Sequence, residues 1–84
     1  GPQAAVMLDG AAGVLADCSW ETEAIKEAVA AVGEGLGIKL GKAQAPIRVA
    51  LTGRTVGPPI FETMALCLDR QVVLDRIAQA RSRL

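Results

Sequence analysis

Arg48 is the only charged side chain in the run Ala45-Pro46-Ile47-Arg48-Val49-Ala50-Leu51, and nine residues further on the chain reads Gly57-Pro58-Pro59-Ile60. This pair can bind. A guanidinium is a planar fork of donors that never loses its charge. A Gly/Pro turn offers stiff backbone donors and acceptors that another group can approach closely. Other chemistries find less support. There is no histidine, so a Ser/His or Cys/His nucleophile pair is excluded. Cys18 and Cys67 stand far apart with no CxxC spacing, which argues against a metal centre. The acids fall mostly on expected solvated helix faces, so no paired-carboxylate site is expected. Gly35-Leu36-Gly37-Ile38-Lys39-Leu40-Gly41-Lys42 is not a phosphate-cradling loop, because Ala43 follows Lys42 and no strand precedes it. It reads as a flexible joint carrying two basic side chains. No catalytic residue and no metal ligand is assigned.

The elements that must position Arg48 and the turn read as helices. The chain has 84 residues, enough for one small domain, and is 51% apolar with 2% aromatic content. Fifteen alanines favour helix and allow helices to approach closely. Alternating or β-branched runs are few, so a sheet is not expected. The formal net charge is zero, which argues against a freestanding nucleic-acid binder held by bulk electrostatics. The neutral sum hides a dipolar chain. Residues 1–34 carry six acids against Lys26, a balance of −5, and residues 35–84 carry eight bases against three acids, a balance of +5. Ordinary solvated helix faces also explain that distribution. Both cysteines read as small core residues of a reduced, cytoplasmic protein. No signal peptide or membrane-length apolar run is present. Gly1-Pro2 reads as a scar left by a processing protease, which leaves 3–84 as one domain excised from a larger chain.

A first helix is expected over 3–16, with Leu8, Ala11, Ala12 and Leu15 on one stripe. Trp20 precedes a second, Thr22 to Val32, with Ile25, Ala28, Val29 and Val32 facing inward. Trp20 could be a stacking platform for a base, but just before a helix it is expected to pack back onto the first turn. Gly33, Gly35 and Gly37 end that helix. A short third helix spans 44–51, with Pro46 in its first turn and Ile47, Ala50 and Leu51 on one face. Arg48 lies 100° round from Ile47 and can reach solvent. Thr52-Gly53 stops this helix. Arg54 to Gly57 is a loop, Pro58-Pro59 starts a fourth helix, and Phe61, Met64, Ala65 and Leu68 form its stripe. Asp69 is placed as the N-cap of a last helix, Arg70 to Ser82, with Val73, Leu74, Ile77 and Ala80 inward and Arg81 and Arg83 near its negative end.

Three blocks carry a resemblance: Leu36-Gly37-Ile38-Lys39-Leu40-Gly41-Lys42, Pro46-Ile47-Arg48-Val49-Ala50-Leu51-Thr52-Gly53 and Gly57-Pro58-Pro59-Ile60-Phe61-Glu62. Trp20 and Leu74-Asp75-Arg76-Ile77 add to it. Over roughly Trp20 to Ala80 the chain resembles the C-terminal domain of bacterial glutamyl-tRNA synthetases. The resemblance implies a compact all-α superhelical array of four to five short helices, the anticodon-binding module of a class I aminoacyl-tRNA synthetase. It implies a parent enzyme that joins glutamate to tRNA(Glu) with ATP and Mg, through a catalytic domain upstream; this segment holds no cofactor itself. Anticodon contacts carry over to Arg48, Gly57, Pro58 and Ile60, and Lys39, Lys42, Arg54, Arg70 and Arg76 are candidate phosphate contacts. The implied partners are the anticodon loop and the upstream domains of the same synthetase, with no membrane, the protein being a monomer. Two positions depart. Some relatives carry a hydroxyl-bearing residue where Gly57 stands, and Leu68-Asp69-Arg70 replaces the usual Gly-Lys-Glu-like run into the last helix. The rival reading, from the residues alone, is a small helical protein-interaction module that docks through its Ala/Leu/Val stripes.

Overall fold

Five apolar stripes with helical period, separated by Gly, Pro and Asp, need mutual cover, and among the described residues that need is met with helices alone. The protein is described by a computed structural model covering residues 2–54 and 56–84. Gly1, half of the expected scar, and Thr55, within the expected 54–57 loop, lie outside the described residues. The helices are α1 (Pro2–Leu15), α2 (Thr22–Gly35), α3 (Leu40–Thr52), α4 (Ile60–Cys67) and α5 (Arg70–Ser82). The all-α expectation holds.

Helix α1 lies against α2, α3 and α5, while α3 is held between α2 and α5 and α4 rests on α2. Their shared core contains Leu8, Ala11, Leu15, Ile25, Val29, Ile47, Leu51, Phe61, Met64, Val73 and Ile77. All of these are stripe residues of the sequence. Met7, Ile38, Ala43 and Ile60 join them without having been placed there.

Three local expectations need correction. Helix α3 starts at Leu40 rather than at 44, so Pro46 is its seventh residue. A proline there removes one intrahelical bond and costs about 3 kcal/mol. Burial of Ala43 and Ile47, both fully enclosed, opposes that cost, and the carbonyl left without a donor belongs to the exposed Lys42. Asp69 occupies the N-cap position of α5 but makes no side-chain capping bond. Cys18 is half-buried, and Cys67 is exposed rather than in the core.

The expected joint after α2 is ordered as well. Gly37 has φ 72°, a conformation open to glycine at little cost. This lets the Ile38 N–H bond the Gly33 carbonyl at 2.7 Å and the Gly37 N–H bond that of Glu34 at 3.1 Å. The pair is a Schellman closure, and it turns Ile38 into the core. Gly33 faces that closure. A Cβ placed on it would lie 2.9 Å from both Ala43 Cβ and the Ile38 carbonyl oxygen. Gly33→Ala is therefore expected to destabilise the domain by about 1–3 kcal/mol through overpacking. Gly13→Ala, at an exposed position of α1 where a Cβ would meet nothing within 4 Å, is expected to stabilise it by about 0.5–1 kcal/mol. Urea melts followed by circular dichroism read both, and equal effects would remove the steric argument.

Helix ends are closed by side chains from distant parts of the chain. The Trp20 indole N–H donates to the Met64 and Leu68 carbonyls at 3.1 and 2.9 Å, closing the end of α4. Arg70 Nη1 donates to the Leu15 and Ala16 carbonyls at 3.3 and 2.7 Å, closing α1. Its guanidinium carbon sits 5.1 Å from the centre of the Trp20 ring, within cation–π range. Arg76 Nη1 donates to the Leu51 carbonyl at 3.0 Å near the end of α3. A cation at a helix C-terminus both satisfies an orphan carbonyl and meets the negative end of the dipole. Arg81 pairs with Asp9 at 2.9 Å across α5 and α1; both side chains are largely exposed, so the pair adds little.

Candidate functional site

Helix α3 carries Arg48 outward from its buried neighbour Ile47. Gly53, at φ 72°, ends the helix with its N–H on the Val49 carbonyl at 2.8 Å. The Thr52 hydroxyl donates to the Arg48 carbonyl at 2.8 Å and accepts the Arg54 N–H at 3.1 Å, which directs the chain away from the helix. The chain then comes back. Arg48 Nη1 donates to the Pro58 carbonyl at 2.7 Å, and a Cβ on Gly57 would stand 3.6 Å from the same nitrogen. That is ordinary contact, so the turn lies against the guanidinium with room for a small side chain.

Pro59 occupies the N-cap position of α4, and its carbonyl accepts the Thr63 N–H at 3.1 Å and the Thr63 hydroxyl at 2.8 Å. Ile60 follows as a core residue at 1% exposure, so only its backbone can serve a ligand. Arg48, Gly57, Pro58 and Ile60, selected from the sequence, come together at one corner. Arg48 is half-buried there, and its ordered bond runs to a carbonyl; among the described residues the one salt bridge is that of Arg81 with Asp9.

Two hollows open on either side of Arg48. The larger, about 360 Å³, runs between the start of α2, α3 and the start of α4, over Ile60 and Phe61, and takes in Glu23, Lys26 and Glu62. The smaller, about 280 Å³, is lined by Gly41, Gln44, Ala45, Arg48, Val56 and Gly57 and has no acid. Gln44 lines both and was not singled out in the sequence. The signal was its position, one helical turn before Arg48 and on the same face.

The five candidate phosphate contacts do not form one patch. Lys39, at the N-cap of α3, and Lys42, in its first turn, are exposed. Arg54 is exposed beyond the far end of α3, whose last residue, Thr52, lies ten residues from Lys42 or about 15 Å along the helix axis. Arg70 and Arg76 already hold carbonyls of α1 and α3. Trp20 packs, but its polar edge closes α4. Among the described residues, no group of three His, Cys, Asp or Glu side chains comes together to hold a metal ion, and no helix is long and apolar enough to cross a membrane.

Five short helices that present an arginine, a stiff turn and two hollows make up a small all-α recognition domain. The chain belongs to the anticodon binding domain family, whose model matches residues 1–81 and so includes the first two residues. It is similar to glutamate–tRNA ligases: 46% identical over 84 residues to that of Frankia alni, covering 100% of this chain and 17% of the relative. The enzyme of Streptomyces coelicolor is 60% identical over 62 residues, covering 74% of this chain and 12% of its own. That of Frankia casuarinae is 55% identical over 65 residues, covering 77% and 14%. The chain therefore spans between 12% and 17% of the length of these relatives.

Proposed function

We propose that this domain reads the anticodon loop of tRNA(Glu) as the C-terminal module of a glutamate–tRNA ligase, a cytoplasmic, monomeric enzyme whose upstream catalytic domain uses ATP and Mg. Family membership supports the anticodon, and the names of the relatives support glutamate. The observation that carries the mechanism is the bond from Arg48 to the Pro58 carbonyl. One of the five guanidinium donors is fixed on the turn, which orients the fork, and the others remain for the edge of an unstacked base. Single-stranded loops expose such edges and faces to side chains. Gly57 leaves room beside the fork, and the backbone of the turn adds rigid polar groups. The larger hollow sets Glu23 and Glu62 against Lys26 and Arg48, so its lining is balanced in charge and offers a phosphate no net attraction.

Lys39 and Lys42 fit the phosphate role. Both stand at the N-terminal end of α3, where the helix dipole disfavours a cation. An anion there relieves both the dipole and the lysines. With Arg54 they make three exposed cations, each expected to contribute about 0.7 to the slope of log affinity against log salt on a single strand. The test is filter binding of tRNA(Glu) by the full-length ligase between 50 and 200 mM salt. Replacing all three by alanine is expected to lower the slope by about 2. An unchanged slope would remove them from the interface. Binding by the unmodified ligase that does not weaken with salt would favour the protein-interaction module instead.

A further inference from the structure

Among the described residues, the two that line both hollows are Arg48 and Gln44. They stand one turn apart on α3 and form the wall between the hollows. Arg48 is anchored on Pro58, whereas the half-buried Gln44 amide makes no hydrogen bond among the described residues. Neither of its polar atoms is sealed from solvent, so the amide is open to a ligand. Next to it Gly41 contributes no side chain, and a Cβ there would meet nothing within 4 Å, so the smaller hollow stays open in front of the amide.

We propose that Gln44 is a second base-reading residue, and that the Gln44–Arg48 wall separates two successive unstacked bases, one in each hollow. The inference rests on the anticodon reading above. A primary amide presents a donor beside an acceptor, which matches a base edge that carries an acceptor beside a donor. Arginine offers donors only. The pair together can therefore tell bases apart by the order of donor and acceptor, which Arg48 by itself cannot do. Among the described residues that line the acid-free hollow, Gln44 carries the one acceptor side chain, so the amide is the group assigned to set the preference there.

The test uses the full-length ligase and tRNA(Glu) transcripts changed at one anticodon position at a time, with charging kcat/KM as the readout. Gln44→Met keeps the length and packing of the side chain and removes both hydrogen-bonding groups. It is expected to lower kcat/KM for the cognate transcript about tenfold and to compress discrimination at one or two adjacent positions, leaving the remaining anticodon position as selective as before. Gln44→Ala is expected to do the same. A thermal melt by circular dichroism identifies any variant that fails to fold. If Arg48→Ala alters the discrimination profile and Gln44→Met does not, Gln44 is not a reader and the anticodon reading stands. If neither variant alters it, the anticodon assignment of this corner fails along with the inference.

Discussion

Arg48→Ala is expected to lower kcat/KM for charging of tRNA(Glu) by the full-length ligase about tenfold to a hundredfold and to flatten the differences among anticodon variants. Two losses combine in that result. The base loses its donor fork, and the Pro58 carbonyl loses its 2.7 Å partner, so the turn is freed as well. Arg48→Lys separates them. Lysine can still donate to Pro58 but lacks the planar fork. If the fork reads the base, Arg48→Lys behaves like Arg48→Ala in discrimination. If Arg48→Lys restores the wild-type profile, the residue only positions the turn. Charging kinetics of Arg48→Ala that match wild type across the whole anticodon series would end the assignment.

Trp20→Ala is expected to cost about 3–5 kcal/mol, a large share of the ~4–13 kcal/mol available to a domain of this size. The indole packs against the core, its N–H serves two carbonyls of α4, and its face carries Arg70. Trp20→Phe retains the ring and leaves those carbonyls without a donor, for which about 1–3 kcal/mol is expected. Urea denaturation followed by circular dichroism gives both values. A Trp20→Phe variant as stable as the parent would show that the indole N–H contributes nothing; a Trp20→Ala variant within 1 kcal/mol of the parent would contradict the packing role altogether.

The inward faces were legible in the sequence because periodicity reports them directly. Leu8, Ala11, Leu15, Ile25, Val29, Ile47, Leu51, Phe61, Met64, Val73 and Ile77 are buried as their spacing implies. Gly53 ends α3 as expected. The start of α3 was misplaced because Gly41 and Pro46 are poor helix residues, and burial of Ala43 overrode that local preference. At the site, the corner formed by Arg48 and the Gly57-Pro58 turn could be found because a charge inside an apolar run is conspicuous. Gln44 could not be found that way, since its place depends on two hollows whose other walls come from α2, α4 and the loop. The parts that Arg70, Arg76 and Trp20 play in closing helix ends were also hidden from sequence reasoning. Their partners are carbonyls 25 to 55 residues away, and a carbonyl leaves no mark in a sequence.

Those remote closures bear on how the domain comes apart. The last turn of α1 depends on a side chain from α5, that of α3 on another from α5, and that of α4 on one placed between α1 and α2. Fraying of α5 thus exposes the termini of α1 and α3, and loosening of the α1–α2 connection exposes that of α4, so partial unravelling gains little. Loss of structure should be concerted, with a single melting transition and amide exchange that is uniformly slow across the ends of all three helices.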